Sequence, residues 1–135
     1  MRLGVPKEKN NNETRVSIVP ISIPKLNKLG FEVIIEKGAG EKSGYSDSEY
    51  VDKGGKIENR EEVIGSELIV SIDVPDFKMM EKGQMLACVA DPFRNLEQTK
   101  KIVDAGITLL SLDVIPRRLS KGQTMDVNSS QDNLS

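Results

Sequence analysis

Histidine and tryptophan are absent from this 135-residue chain, cysteine occurs once, and aromatic residues make up 4% of the sequence. Without histidine the sequence has no His general base, no His metal ligand and no Ser-His or Cys-His nucleophile pair. Clusters of cysteine and histidine that hold metals are excluded as well. We therefore predict no metal site and no residue that acts by acid–base catalysis. A reaction that needs only orientation, such as direct hydride transfer between two cofactors, stays open.

Further absences narrow the class of protein. The net charge is -2 with Lys and Arg scattered along the chain, which predicts no nucleic-acid binding. No apolar run approaches the roughly 20 residues that span a bilayer, so direct membrane insertion is not expected. The first residues lack the apolar core of a signal peptide, and Cys88 has no partner for an internal disulfide, so we predict a cytoplasmic location. The length predicts a single domain over residues 1–135.

Short apolar runs alternate with segments of helical character along the chain. The predicted strands are Arg2–Val5, Phe31–Glu36, Glu67–Ile72, Gln84–Ala90 and Ile107–Leu112. The predicted helices are Pro20–Leu29, Asp47–Lys53, Arg60–Ile64, Phe77–Lys82 and Asn95–Ala105. This alternation predicts an α/β fold with three layers around an open, mostly parallel sheet, flavodoxin-like or Rossmann-like, in an undetermined strand order. The segments 73–75, 91–92 and 113–123 follow strands and should share the carboxyl edge of that sheet.

A glycine-rich segment, G-A-G-E-K-S-G at 38–44, follows the second predicted strand. It superficially suggests a loop that cradles a phosphate, but its third glycine comes one residue late. It also leads into Tyr45 and the capping box of 46–49 rather than directly into a helix, whose open amides a phosphate would need. We interpret it as a connecting loop, and no better dinucleotide fingerprint occurs elsewhere in the chain.

The first twenty residues carry a more specific pattern. They read G-V-P-K-E at 4–8, N-E at 12–13 and R-V-S at 15–17. Taken alone, the pattern fits a strand, a polar turn and a second short strand, with Arg15 as a solvated charge and Pro20 at a helix start. It also closely resembles the opening signature of the alanine dehydrogenase and nicotinamide nucleotide transhydrogenase family. The segments 36–40 and 44–50 sit where that family has its G-A-G and aromatic-x-D-x-x-Y motifs, and the resemblance runs in order over essentially all 135 residues.

The resemblance implies two branches of the family, which differ in chemistry. The alanine dehydrogenase branch holds a small amino acid and moves a proton with a Lys and a His. Asp73 takes the place of that Lys here, and Asp91 falls about where the His would be. Arg15 alone remains of the set, and a lone Arg among acids does not serve that mechanism. The alanine dehydrogenase branch is therefore disfavoured.

The transhydrogenase branch has a loop of the form R-I-S-R-A-Q-S-M-D-x-x-S-S-Q that approaches the nicotinamide of NADH. This chain reads R-L-S-K-G-Q-T-M-D-V-N-S-S-Q at 118–131, so the resemblance implies that Arg118, Gln123, Asp126 and Ser129 bind the cofactor. An amide and a hydroxyl can pair with a carboxamide, and Arg and Asp can lock the loop together. Because Arg117 precedes Arg118, the register of the arginine stays open. From composition alone, the segment also fits a solvated turn with a helix cap.

The resemblance implies that the chain is the N-terminal half of the NAD(H)-binding component, the α subunit, of a proton-translocating transhydrogenase that passes hydride from NADH to NADP+. A Rossmann-type half and membrane and NADP(H)-binding components would be its partners, with a position peripheral to the inner membrane through them. We expect the dinucleotide-binding domain that follows in the family to be absent here, and with it we expect weak NAD(H) binding, an inactive isolated chain and a homodimer. Two alternatives remain: a non-catalytic truncated α/β interaction module, and an alanine dehydrogenase-like oxidoreductase fragment.

Overall fold

The computed structural model describes residues 1–10 and 12–112. Within them, strands alternate with helices, and the bounds of each are as follows. The strands are β1 (Arg2–Val5), β2 (Glu32–Glu36), β3 (Lys56–Glu58), β4 (Leu68–Ser71), β5 (Met85–Cys88) and β6 (Thr108–Ser111). The α-helices are α1 (Ile23–Lys28), α2 (Asp47–Asp52), α3 (Arg60–Ile64) and α4 (Leu96–Asp104). Short 3-10 turns lie at 20–22, 41–43 and 77–79.

The strands of the described residues form one parallel sheet in the order β3-β2-β1-β4-β5-β6. The chain runs outward from β1 to one edge, then returns and runs from β4 to the other edge. This is the arrangement of a doubly wound Rossmann-like sheet, whose ligand crevice lies where the strand order reverses. The predicted fold class is confirmed, and the strand order, which the sequence left open, places that reversal between β1 and β4.

Each face of the sheet is covered by its own helices, which gives the three layers. On one face, Ile23 of α1 and Tyr50 of α2 belong to the same buried cluster as Val33 and Ile35 of β2. On the other face, Ile64 of α3 and Ile102 of α4 pack with Ile69 and Leu86 of the second half of the sheet. These side chains are at most 2% exposed, and burying each one stabilises the fold by about 1.5–3 kcal/mol.

The structure differs from the predicted elements at two places, one predicted helix and one strand that was not predicted. The predicted helix Phe77–Lys82 is wrong, because the structure has only a single 3-10 turn over Phe77–Met79 there, capped by the Asp76 side chain. Gly83 follows with a φ of +96°, which ends any helical path at that point. The strand β3 was not predicted, since its three residues alternate charged, apolar and charged and are too few to show a periodicity.

Candidate functional site

The candidate site lies at the carboxyl edge of the sheet, where β1 and β4 meet. β1 pairs with β2 along its full length, and β4 pairs with β5 along its full length. Between β1 and β4, by contrast, the register pairs are Leu3 with Leu68 and Gly4 with Ile69. The ladder therefore stops before either strand ends, and the two strands separate toward the edge at which a crevice is expected.

The Glu8 side chain spans this separation. Glu8 follows β1, and its two carboxylate oxygens accept hydrogen bonds from the backbone N–H groups of Ile72 at 2.9 Å and Asp73 at 3.0 Å, just beyond β4. Burial raises the pKa of the Glu8 carboxyl above its ordinary value and outweighs the two backbone hydrogen bonds, which lower it. The negative charges of Asp73 and Glu13 raise it further.

A cleft of about 250 Å³ opens next to this bridge. Its polar lining combines two carboxylates, two cations and three amide side chains, over a floor formed by the turns after β4 and β5. The polar residues are Asp73, Asp91, Lys9, Arg94, Asn10, Asn95 and Gln98, and the floor is Val74, Ala90 and Pro92. Such a set can hold a small polar molecule by hydrogen bonds of both directions.

The two acids that were singled out in the sequence both line this cleft. The Asp73 carboxylate lies 3.8 Å from the Arg94 guanidinium, and the Asp91 carboxylate accepts a hydrogen bond from the Phe93 backbone N–H at 2.9 Å. Asp91 thus shapes the turn that leads into α4, whose first turn is capped by the Asn95 side chain. The structure therefore brings Asp73 and Asp91 together, as the shared strand edge predicts.

Arg15 lies outside the lining of this cleft. Its guanidinium donates two hydrogen bonds to the Glu13 carboxylate, from Nε at 2.9 Å and from Nη2 at 3.0 Å. These bonds lower the pKa of Glu13 below its ordinary value. Arg15 faces a second, shallower depression that it shares with Thr14, Val16, Val19, Lys42, Ser43 and Tyr45. Among the described residues, Arg15 is a surface charge paired with Glu13. The interpretation from the sequence alone was a solvated charge.

The glycine-rich segment 38–44 uses its own backbone amides. Gly38 donates to the Asp47 carboxylate at 2.9 Å, and Tyr45 donates to the Gly40 carbonyl at 2.9 Å. The amide of Ala39 donates to the Glu36 carbonyl at the end of β2, and the amides of residues 41, 43 and 44 donate to backbone carbonyls within the segment. A phosphate would need those donors free. The segment is a connecting loop, in agreement with the prediction.

The four residues that the family resemblance assigns to the cofactor lie outside the described residues. They are Arg118, Gln123, Asp126 and Ser129, and the same holds for the alternative Arg117. What the structure does describe is the end of the strand before them. The Leu112 N–H donates to the Cys88 carbonyl at 2.8 Å, so the described chain ends beside the carboxyl end of β5, next to the cleft floor at Ala90.

Cys88 is buried in the sheet, and its thiol lies 3.6 Å from the Ser71 hydroxyl. Burial raises the pKa of this thiol to about 11, so it carries a proton at neutral pH and is a poor nucleophile. In the part of the chain that the structure describes, no cluster of acidic residues and cysteine is placed to hold a metal ion. Over the same residues, no helix has the length and apolar character needed to cross a membrane.

Sequence reasoning missed the residues that complete the cleft. Glu8 stood inside the quoted signature without a role, and Lys9, Arg94 and Gln98 were not singled out. A usable signal was present for Arg94 and Gln98, because Arg94 follows the strand end at 91–92 directly and Gln98 lies in the first turn of α4. No local signal identifies Glu8, since its partners are 64 and 65 residues away along the chain.

Comparison with known proteins matches the family model described as "Alanine dehydrogenase/PNT, N-terminal domain" to residues 4–135 of this chain. A NAD(P) transhydrogenase subunit alpha from Haemophilus influenzae is 34% identical over 100% of this chain and 27% of its own length. An alanine dehydrogenase from Methanococcus maripaludis is 35% identical over 85% of this chain and 32% of its own length.

Among solved structures, the crystal structure of a transhydrogenase from Sinorhizobium meliloti superposes with a TM-score of 0.82 at 30% sequence identity. The match covers 97% of this chain and 40% of that one. The chain therefore spans between about a quarter and two fifths of the length of these relatives. Both branches that the sequence resembles are represented, and the transhydrogenases match over more of the chain.

Proposed function

This chain belongs to the alanine dehydrogenase and transhydrogenase family, of which it matches the N-terminal domain, and from that premise we propose that it works as part of a NAD(P) transhydrogenase alpha subunit. In this role it supplies the surface that faces the nicotinamide ring while hydride passes from NADH to NADP+. The observation that carries the proposal is the similarity to a transhydrogenase alpha subunit along the whole chain, at 34% identity.

The position of the cleft supports this role. It lies at the reversal of the strand order, where doubly wound sheets bind their ligands, and the described chain ends at Leu112 on the same edge. The loop carrying Arg118, Gln123, Asp126 and Ser129 then follows directly in sequence from this edge. A nicotinamide carboxamide needs hydrogen-bond donors and acceptors, which the amide side chains of the cleft and of the loop both supply.

Direct hydride transfer asks the protein for orientation and for exclusion of water, while the cofactors carry the chemistry. The absence of histidine is therefore compatible with the proposal. The NADP(H) would be held by another component of the complex, and proton translocation would belong to its membrane part. The chain would then be cytoplasmic and peripheral to the inner membrane through those partners.

The first experiment titrates the 15N-labelled chain with NADH and follows the backbone amides by NMR. We expect shifts confined to the cleft and to residues 118–129, with a Kd weaker than about 10 µM, since tighter binding corresponds to about 7 kcal/mol and needs contacts along the whole dinucleotide. Shifts on the opposite edge of the sheet, or a Kd below about 10 µM, would contradict this account of how the chain binds.

The second experiment tests turnover in a chimera. This chain replaces the matching 27% of the Haemophilus influenzae alpha subunit, and NADH oxidation is coupled to reduction of a thionicotinamide analogue of NADP+. We expect activity in the chimera and at least about a tenfold loss in Gln123→Ala and Asp126→Ala, because each removes an orienting contact. Lys121→Gln, in the same loop, is the matched control and should retain the rate. A folded chimera without activity would overturn the proposal.

Self-association is a further part of the proposal. Several large apolar side chains lie exposed, among them Ile21 at 77%, Leu96 at 77% and Val103 at 56%. Covering such side chains favours a homodimer or a partner chain. Light scattering over a range of concentrations should give a mass above that of one chain, and a monomer at high concentration would contradict the expectation.

The alternatives are separated by simple assays. An alanine dehydrogenase is supported by the relatives of that name, but the cleft presents Asp73 and Asp91 where that branch would need a Lys and a His. NADH oxidation with pyruvate and ammonium would reveal that activity. A non-catalytic interaction module predicts a stable fold whose amides do not respond to NADH at all.

A further inference from the structure

The carboxyl end of β4 is bound by side chains from the segment that follows β1. The register between β1 and β4 stops at Gly4 and Ile69. Beyond it, the Ser17 hydroxyl donates to the Val70 carbonyl at 2.7 Å, and the Glu8 carboxylate accepts from the amides of Ile72 and Asp73. Side chains thus replace the backbone ladder at the place where the two strands separate.

Asp73 is fixed by this arrangement at both ends of its backbone. Its N–H donates to Glu8 at 3.0 Å, and its carbonyl accepts from the Ser71 hydroxyl at 2.6 Å. Its carboxylate is left to face Arg94 in the cleft. The orientation of the Asp73 side chain therefore depends on a backbone that Glu8 holds.

Glu8 also fixes the opposite wall of the cleft. Lys9 and Asn10 follow it directly and line the cleft from the β1 side, whereas Asp73 and Val74 line it from the β4 side. The Glu8 carboxylate joins the two segments by a pair of charge-assisted hydrogen bonds. Retaining a carboxylate in a half-buried position beside two other acids opposes folding, and the paired bonds offset this cost.

We propose that Glu8 is a positioning residue that sets the distance and orientation between the two walls of the cleft, so that a nicotinamide meets a preformed site. The identity of the ligand as a nicotinamide rests on the proposed function. The pair of hydrogen bonds from the amides of residues 72 and 73 to the Glu8 carboxylate, here called the clip, does not. The shape of the carboxylate matters, because two oxygens side by side serve two consecutive amides. A glutamine offers one oxygen, so one amide must lose its acceptor.

The test measures hydrogen exchange of individual backbone amides in the 15N-labelled full chain. In Glu8→Gln we expect exchange at Ile72 or Asp73 to be about tenfold faster or more, and in Glu8→Ala at both, since a hydrogen bond to a charged group is lost. The rest of the sheet should keep its protection. Glu81→Gln, an exposed glutamate with the same charge change, is the control and should alter neither amide. Unchanged exchange at both amides in Glu8→Gln would overturn the proposal.

A measurement without any substitution guards against a variant that fails to fold. Protonating Glu8 weakens one of its two acceptor oxygens, so the amide shifts of Ile72 and Asp73 should follow one and the same carboxyl titration. The charged groups that act on Glu8 are Asp73 and Glu13, with Arg15 opposing them. Amide shifts at both residues that stay constant from pH 7 down to the acid unfolding of the chain would overturn the clip.

Titration with NADH then tests the clip and the proposed ligand separately. If the wild-type cleft responds to NADH, Glu8→Gln should weaken the response several-fold while shifts at the two walls no longer change together. A cleft that responds equally in both proteins would overturn the positioning role. If the wild-type cleft does not respond to NADH, the proposed function fails, and the exchange and pH data alone decide the clip.

Discussion

Polar segments follow β2, β4 and β5 at the carboxyl edge of the sheet, and they use their polar groups differently. In the glycine-rich loop 38–44 after β2, five backbone amides donate to the Asp47 carboxylate or to backbone carbonyls, and the backbone packs against Tyr50. The turns after β4 and β5 turn their polar side chains outward into an open cleft. In this sheet, the segments whose polar side chains line an open cleft are the candidates for ligand binding, whatever their glycine content.

The largest effect on stability is expected at Gly40, in the glycine-rich loop. A methyl group added there would lie 2.7 Å from the Tyr50 ring and 2.8 Å from its hydroxyl, in a core that has no room to yield. We expect Gly40→Ala to lower the free energy of unfolding by about 2–3 kcal/mol, measured by urea denaturation. Gly65→Ala is the matched control, because its new methyl group would approach nothing closer than the Glu61 carbonyl at 3.4 Å. Equal stability of the two variants would show that the loop is not packed as described.

The next effect is expected at the hydroxyl of Tyr50 itself. Tyr50 is fully buried, and its hydroxyl donates to the Ile18 carbonyl at 2.8 Å. Tyr50→Phe leaves that carbonyl without its donor and should cost about 1–2 kcal/mol at neutral pH. A loss of less than about 0.5 kcal/mol would mean that water or another donor replaces the hydroxyl.

The pH dependence of Tyr50 gives a second readout. Burial raises the pKa of its phenol to about 12, whereas an unfolded tyrosine titrates near 10. The unfolded chain therefore loses its proton first, and the stability contributed by the neutral phenol is present below pH 10 and lost as the pH rises toward 12. Subtracting the curve of Tyr50→Phe isolates this loss from that of Cys88, whose thiol pKa is also raised. A difference curve that stays flat above pH 10 would contradict the assignment.

A substitution in the cleft should have a smaller effect on stability and a larger one on ligand binding. Arg94 is 73% exposed, and its contact with the Asp73 carboxylate is 3.8 Å long. Exposed ion pairs contribute at most about 1 kcal/mol, so Arg94→Gln should leave the urea midpoint nearly unchanged. If the cleft binds nicotinamide, the NADH-induced shifts should weaken by about tenfold, because a charged hydrogen-bond donor is removed. Lys100→Gln, on the exposed side of α4, is the control for the change in charge.

Local patterns in the sequence predicted most of the strands and helices and the capping box of α2, and they were insufficient for the site. The Ser46 and Glu49 side chains form the expected capping box, because that motif needs only neighbours along the chain. The strand β3 escaped prediction because Ile57 alone carries its apolar character. The hydrogen bonds of Glu8 were not predicted because they depend on β1 lying next to β4, and strand order is not a local property. The family resemblance led to the proposed function, but the loop residues that it assigns to the cofactor lie outside the described part of the chain.

The smallest effect on stability is expected at Arg15, and it decides where the boundary of the site runs. Arg15 is 61% exposed, so Arg15→Ala should cost at most about 1 kcal/mol at neutral pH. Its bonds lower the pKa of Glu13, so this contribution exists above the unfolded pKa of a glutamate and is lost as the pH falls through the lowered value. Carboxyl 13C shifts should show the pKa of Glu13 returning toward its ordinary value in Arg15→Ala, and part of the way in Arg15→Lys, which keeps the charge without the paired bonds.

Because Arg15 lies outside the cleft lining, the NADH response should be unaffected, and a loss of that response in both variants would extend the binding surface from the cleft to the depression that Arg15 faces.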